Sequence, residues 1–339
     1  MQSGISNEIL EKAPLILGEV QKAKSILLHC HPGPDPDSVG SALAMKFALE
    51  QLGKKVTVIR GDSDIPEAFM HFPGAQDIAK KNFFEVDLNE FELFIAQDAG
   101  SIEMISRKGA VEFSPSLKVV VIDHHRTNTK YGSINLVDSS YPATAQMLFD
   151  VFSVWNIKIT PEIAKNIFIG MYTDTGGFKY EGTSPRTFEI VSHLMTIAPD
   201  MLKMVSVMEN SDTPGFIAFK GLAFSAVQEF CDGKMALSLV SHDMIMKDSR
   251  ITDEISSSPI SASLRLVKKW GIVGTLVEFE PNVIKISFRT NKADVYDLTK
   301  LVIAFGGGGH KAAAGATLLM SLEEARDLVV SKAKELYNL

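Results

Sequence analysis

Apolar residues fall along the first half of this chain in short unbroken runs, separated by longer segments with helical spacing. Ser25-Ile-Leu-Leu-His-Cys30, Lys55-Val-Thr-Val-Ile-Arg60, Phe91-Glu-Leu-Phe-Ile-Ala-Gln97 and Leu117-Lys-Val-Val-Val-Ile122 each read as a buried strand. Between and around them, residues 5–22, Ala42 to Leu52, Pro66 to Phe72, 142–155 and 161–172 read as helices, the last opened by Pro161 at a favourable first-turn position. Helical patterns continue to about residue 209. Short apolar strands alternating with helices predict a parallel, doubly wound α/β sheet.

The texture then changes. Glu209-Asn-Ser-Asp-Thr-Pro-Gly215 is polar and turn-rich and reads as a linker. Beyond it, Phe216 to Val227 and Asp294 to Phe305 read as helices, and a final helix starts at Ser321. Lys234 to Val240, Ile272 to Glu278 and Val283 to Phe288 read as strands. The expected organisation is a parallel α/β domain over residues 1–205, a linker over 206–215 and a smaller α/β domain over 216–339, with the active site in the cleft between them.

Composition narrows the class. The chain has 339 residues, 45% hydrophobic, enough for two cored domains. Its net charge of −7 makes it a poor electrostatic track for long duplex nucleic acid, though not for a small anion held by local cations. Cys30 and Cys231 both lie in apolar runs and are expected to be buried, reduced thiols. No apolar run is long enough for a transmembrane helix and no secretory signal is seen, so a cytoplasmic protein is expected.

The candidate chemistry sits at strand ends. The first strand runs into His31-Pro-Gly-Pro-Asp35-Pro-Asp37-Ser-Val-Gly40-Ser41, a stiff turn before a helix. The third ends at Asp98 and the fourth at Asp123-His124-His125. In open parallel sheets ligands bind beyond the carboxyl ends of the strands. A single Asp after a strand is ordinarily a helix cap or turn former. Three such ends, one with a His and two acids and another Asp-His-His, point instead to a divalent metal such as Mn²⁺. Asp35 and Asp37, one residue apart, suit ligands to two different ions.

His31-x-x-x-Asp35-x-Asp37, Asp98, Asp123-His124-His125 and Asp174, in Tyr172-Thr-Asp-Thr-Gly-Gly177, resemble in order and spacing the motifs of the DHH phosphoesterase superfamily. Gly306-Gly-Gly-Gly-His310-Lys-Ala-Ala-Ala-Gly315 resembles the signature of the associated DHHA1 domain, and the chain's size matches the compact nanoRNases and pAp phosphatases. The resemblance implies two divalent ions, most simply Mn²⁺. One would be held by His31, Asp35 and Asp98, and the other by Asp37, Asp98, His124 and Asp174. It implies Asp98 and His125 as the catalytic pair, with Asp98 bridging the ions and His125 facing the substrate. Asp123 is either an orienting partner for a histidine or a turn carboxylate, and Arg126 touches either substrate or a carboxylate. Gln97 carries no assigned role. The proline-rich first motif departs from the usual pattern while keeping each ligand type.

Four successive glycines allow positive φ, and exposed successive amides can cradle an anion. A glycine run alone reads equally as a flexible loop. It is the resemblance to the DHHA1 nucleotide-phosphate site that implies Gly306, Gly307, Gly308, Gly309 and His310, with Arg289 after its strand, as the substrate-phosphate residues, and Arg can grip phosphate in bidentate fashion. Arg265 is a weaker candidate, since its surroundings read as an ordinary helix. His29 reads as packed, and His71, His193 and His242 as structural or surface histidines.

The function expected is a Mn²⁺-dependent phosphodiesterase releasing nucleoside monophosphates from short oligoribonucleotides, pAp or pApA. A cyclic-dinucleotide phosphodiesterase, an inorganic polyphosphatase and a non-catalytic nucleotide sensor are the alternatives; the sensor predicts a missing ligand, and none is missing. The expected partners are short single-stranded oligoribonucleotides or small nucleotides, with a homodimer open, and neither long duplex nucleic acid nor a membrane.

Overall fold

The computed structural model describes residues 4–180, 182–210, 212–251 and 256–339. The chain divides into two compact units, Met1–Ser211 and Asp212–Leu339. The first contains α1 (Asn7–Lys22), β1 (Ser25–His29), α2 (Pro36–Gln51), β2 (Lys55–Ile59), β3 (Leu93–Gln97), β4 (Lys118–Asp123), β5 (Ile134–Val137), α3 (Thr144–Val154), α4 (Pro161–Asp174), α5 (Pro185–Ile197) and α6 (Leu202–Glu209). Its five strands pair in parallel in the order β2-β1-β3-β4-β5.

Alternate side chains of these strands feed two cores, as a pleated sheet requires. Ile26, Leu28, Ile95, Val120 and Ile122 pack with α1 to α5 on one face. Leu27, Phe94, Ala96, Val119 and Val121 pack on the other against Phe83, Ile105 and Phe113, from the long β2–β3 connection and the segment after β3. That face is covered by short 3₁₀ turns at Phe83–Glu85, Leu88–Glu90 and Ile102–Met104. The segment expected as a helix over Pro66 to Phe72 is instead a 3₁₀ turn, Glu67–His71, and packs Phe69 and Phe72 into the helical-face core. Strand order turns outward in both directions from β1 and β3, so the gap beyond their carboxyl ends is the topological switch point.

The second unit contains α7 (Pro214–Ser225), β6 (Val227–Phe230), β7 (Met235–Val240), α8 (His242–Lys247), α9 (Ser258–Leu264), β8 (Ile272–Glu280), β9 (Val283–Arg289), α10 (Leu298–Ile303), β10 (Gly308–His310), β11 (Ala313–Leu319) and α11 (Leu322–Tyr337). Its mixed sheet runs β10-β11-β9-β8-β7-β6, with only β7 and β8 parallel. One face packs on α10 and α11 and the other on α7, α8 and α9.

Several boundaries differ from the sequence expectation. The helix expected from Ala42 begins at Pro36: Asp35 caps it by accepting from the Ser38 amide at 2.9 Å, and Pro36 occupies the first turn. Asp37 is therefore helical, not part of a rigid loop. Asp174 is the last residue of α4 rather than beyond it. The helix expected to Val227 stops at Ser225, because Val227 pairs into β6, and the helix expected over Asp294 to Phe305 is confined to Leu298–Ile303. Cys30 is buried, but Cys231 is half-buried in a turn at φ 55°, so only one thiol is a core residue. Among the described residues no single helix is long and apolar enough to cross a membrane.

Candidate metal centre

β1, β3 and β4 each deliver polar residues to the edge that the switch point marks. Three groups of side chains converge there with ligand atoms within 4.8 Å of one another: His31, Asp35 and Asp98; Asp37, His124 and Asp174; and Asp98, His124 and His125. Asp98 is common to two of them. Its carboxylate lies 3.7 Å from His31 Nε2, 3.5 Å from His124 Nε2 and 3.7 Å from His125 Nδ1. Asp98 adopts φ 54°, a left-handed turn directly after β3, and its amide donates to Ile122 O at 3.1 Å. Asp is one of the few residues that visits this region routinely.

Each ring is aimed by its other nitrogen. His31 Nδ1 is 3.2 Å from Pro32 O and His124 Nδ1 is 3.3 Å from Tyr141 O. Both Nε2 atoms therefore face carboxylates: Asp35 at 3.5 Å and Asp98 for His31, Asp174 at 3.2 Å and Asp98 for His124. The His124 Nε2 atom is buried without a hydrogen-bond partner. His125 differs. Its Nδ1 is held 2.7 Å from Asp123 Oδ1, and its side chain is 27% exposed against 15% for His124 and 7% for His31. Asp123 in turn accepts from Asn128 Nδ2 at 2.6 Å. Of the two readings left open for Asp123, orientation of a histidine is the one the structure shows, and the histidine is His125.

Asp37 is fully buried under the start of α3. Its two oxygens accept from the amides of Thr144 (2.8 Å) and Ala145 (3.0 Å), so it caps α3 from another helix; the local cap residue, Ala143, makes no side-chain bond. Gly170 on α4 makes room for it, since a Cβ there would lie 2.5 Å from Asp37 Oδ1. Thr144 Oγ1 also donates to Asp98 Oδ1 at 3.0 Å. The sequence reading missed Thr144 and Asn128: each acts through a tertiary contact. Gln97 ties the end of β3 to α2 by donating to Ser41 O at 3.2 Å. Arg126 is exposed in the loop after His125, and Arg265 sits at the end of α9, where its carbonyl accepts from Asn291.

The electrostatics are those of a crowded anionic site. Burial and the Asp98 charge push Asp37 up to about 7, and burial and Asp35 push Asp98 to about 7. Burial and Asp37 raise Asp174 to about 6. Burial works against both imidazoliums, yet Asp35 and Asp98 lift His31 to about 9, and Asp174 and Asp98 lift His124 to about 10. The site thus demands positive charge. The charges of Asp35, Asp37, Asp98 and Asp174 match those of two divalent cations, and the orphaned His124 nitrogen is a ready ligand atom. The donor set of carboxylates and imidazoles fits such ions.

Residues 25–171 match the model of the DHH family, N-terminal domain. The chain is 25% identical over 323 residues to the bifunctional oligoribonuclease and PAP phosphatase NrnA of Thermus thermophilus, covering 94% of this chain and 93% of that one. It is 26% identical to the protein of the same name from Mycoplasma pneumoniae, covering 91% of each. In fold it superposes on an exopolyphosphatase-related protein from Bacteroides fragilis with a TM-score of 0.85 at 21% identity, covering 99% of this chain and 98% of the other.

The second unit holds the other predicted residues. His310, Ala313 and Arg289 are register partners across β10, β11 and β9, so the glycine segment and Arg289 meet at one end of the sheet. The His310 side chain lies outside the described part of the structure. Arg289 donates to Ser258 Oγ (2.6 Å), Phe288 O (2.9 Å) and Ser287 Oγ (3.3 Å). The amides of Gly306 and Gly307 donate to Ile303 O and Val302 O, closing α10. A cradle built on all four glycine amides is thus not what the structure shows; the outer edge of β10 is what remains for an anion. A Cβ at Gly307 would lie 2.3 Å from Gly315 O, whereas at Gly308 it would meet nothing within 4 Å. Gly307→Ala is expected to cost about 1–3 kcal/mol, while Gly308→Ala leaves stability near wild type. Urea unfolding of the two variants measures both.

Proposed function

We propose that this protein is a metal-dependent phosphoesterase that cleaves the phosphodiester bonds of short oligoribonucleotides and pApA, releasing nucleoside monophosphates, and the monoester of pAp, releasing AMP and inorganic phosphate. The observation that carries the reading is one buried carboxylate, Asp98, shared between two groups of ligand residues at the sheet's switch point. The names of its relatives supply the substrate class.

In this assignment His31, Asp35 and Asp98 would hold one cation and Asp37, Asp98, His124 and Asp174 the other, Mn²⁺ being one of the ions that such donors suit. Divalent ions held there would supply Lewis-acid charge to the phosphate and lower the pKa of the attacking water. His125, fixed through Nδ1 by Asp123 and the more exposed of the pair, contacts the substrate phosphate or hands a proton to the leaving oxygen. Arg289 and the edge of β10 take a non-reacting phosphate of the substrate.

A panel of pAp, pApA, two- to five-residue RNAs, cyclic di-AMP and polyphosphate, assayed with Mn²⁺, tests this. AMP release from pApA and the short RNAs is the expected result. Turnover of polyphosphate alone, or of nothing, would overturn it. Arg289→Ala is expected to lower kcat/KM for pApA about 10- to 100-fold, the loss of a charged hydrogen bond to substrate. A chromogenic phosphodiester without the distal nucleotide should be little affected. Equal losses on both substrates would mean that Arg289 serves the fold through Ser258 and Phe288.

A further inference from the structure

We infer that Thr144 is a positioning residue for the metal centre, fixing the carboxylates of Asp98 and Asp37 relative to each other. The inference rests on the assignment of these two carboxylates to two cations. Thr144 is the first residue of α3 and is fully buried. Its hydroxyl donates to Asp98 Oδ1 at 3.0 Å, and its amide donates to Asp37 Oδ2 at 2.8 Å. One residue therefore touches the carboxylate shared by two ligand groups and a carboxylate that belongs to only one of them.

The contact with Asp98 matters because little else grips that side chain tightly. The three imidazoles stand 3.5–3.7 Å from its oxygens, beyond hydrogen-bond distance. Its backbone leaves β3 through a left-handed turn, and its amide is committed to Ile122 O. A carboxylate that bridges two ions must present both oxygens in one orientation. A hydroxyl donor on Oδ1 holds that orientation while leaving further lone pairs on both oxygens for ligation. As the first residue of α3, Thr144 has no preceding helical turn to bond, and its hydroxyl is directed across to Asp98, just beyond β3. The same α3 start fixes Asp37 through two amides, so α3 acts as a rigid spacer between carboxylates from α2 and β3.

The test separates the hydroxyl from the amide. Thr144→Val keeps the amide bond to Asp37 and removes the donor to Asp98; Thr144→Ser keeps both. Calorimetric titration of each metal-free protein with Mn²⁺ is the readout. The wild type is expected to bind two ions, and Thr144→Ser to match it. Thr144→Val is expected to weaken at least one ion about 10- to 100-fold, the range for losing a group that orients a ligand. Its metal-free unfolding temperature should stay near wild type, and excess Mn²⁺ should recover much of its kcat with KM unchanged. Thr144→Ala removes the same hydroxyl with less steric demand and gives the same comparison if the valine variant is insoluble. Wild-type Mn²⁺ affinity in the hydroxyl-free variants, or a serine variant as impaired as they are, would overturn the inference. A wild type that does not bind two ions would instead refute the underlying assignment.

Discussion

Asp98→Asn is expected to lower turnover by about 10³-fold or more and to deplete bound metal further than Asp35→Asn or Asp174→Asn does. Its carboxylate belongs to two ligand groups, whereas Asp35 and Asp174 each belong to one. In the proposed two-ion arrangement, asparagine would keep one oxygen but put an NH2 where the second ion needs a ligand. It would neither bridge the ions nor offset their charge, and the charge stabilisation and water activation they would supply would be lost. Asparagine is the right replacement. Asp98 sits at φ 54°, where alanine would add backbone strain and asparagine would not, so a loss of metal can be assigned to the carboxylate. Metal content of the purified variant and its rate on pApA are the measurements. Full occupancy with a near-normal rate would remove Asp98 from the bridging position.

His125→Ala is expected to retain most of its metal while losing about 10²- to 10⁴-fold in rate, the usual contribution of a positioned acid–base group. The two adjacent histidines divide by what their Nδ1 atoms touch. His124 Nδ1 faces the Tyr141 carbonyl, which turns Nε2 toward Asp98 and Asp174. His125 Nδ1 is taken by Asp123, itself braced by Asn128. His124→Ala should therefore lose metal, and His125→Ala should not. Equal metal loss in both would show that His125 is a ligand, as its proximity to Asp98 permits by distance.

Much of this was legible in the sequence, for a physical reason. A strand buried on both faces writes itself as a short apolar run, and the polar residue that ends the run marks the sheet edge where ligands bind. That logic located His31, Asp98 and Asp123 to His125 before any fold was known. What was not legible depends on tertiary contacts or on the balance of local signals. Asp35-Pro36 is a helix start disguised by its neighbouring prolines, which make Asp37 read as a loop residue. β5 has only four residues, Ile134–Val137, and too little pattern to stand out. Asp37's role as the cap of α3 spans more than a hundred residues of sequence, and Thr144's bond to Asp98 spans 46. The glycine run showed that the backbone needed special freedom, but not that Gly306 and Gly307 spend their amides closing α10. Arg289 was already grouped with the glycine segment through the family resemblance, and the register of β9, β11 and β10 puts the two at one end of the sheet.

The central claim is that two cations share Asp98. Anomalous diffraction from crystals soaked in Mn²⁺ tests it most directly. The account predicts two peaks about 3.5–4 Å apart, one among His31, Asp35 and Asp98 and the other among Asp37, Asp98, His124 and Asp174. A single peak, or two peaks that do not both contact Asp98, would contradict it.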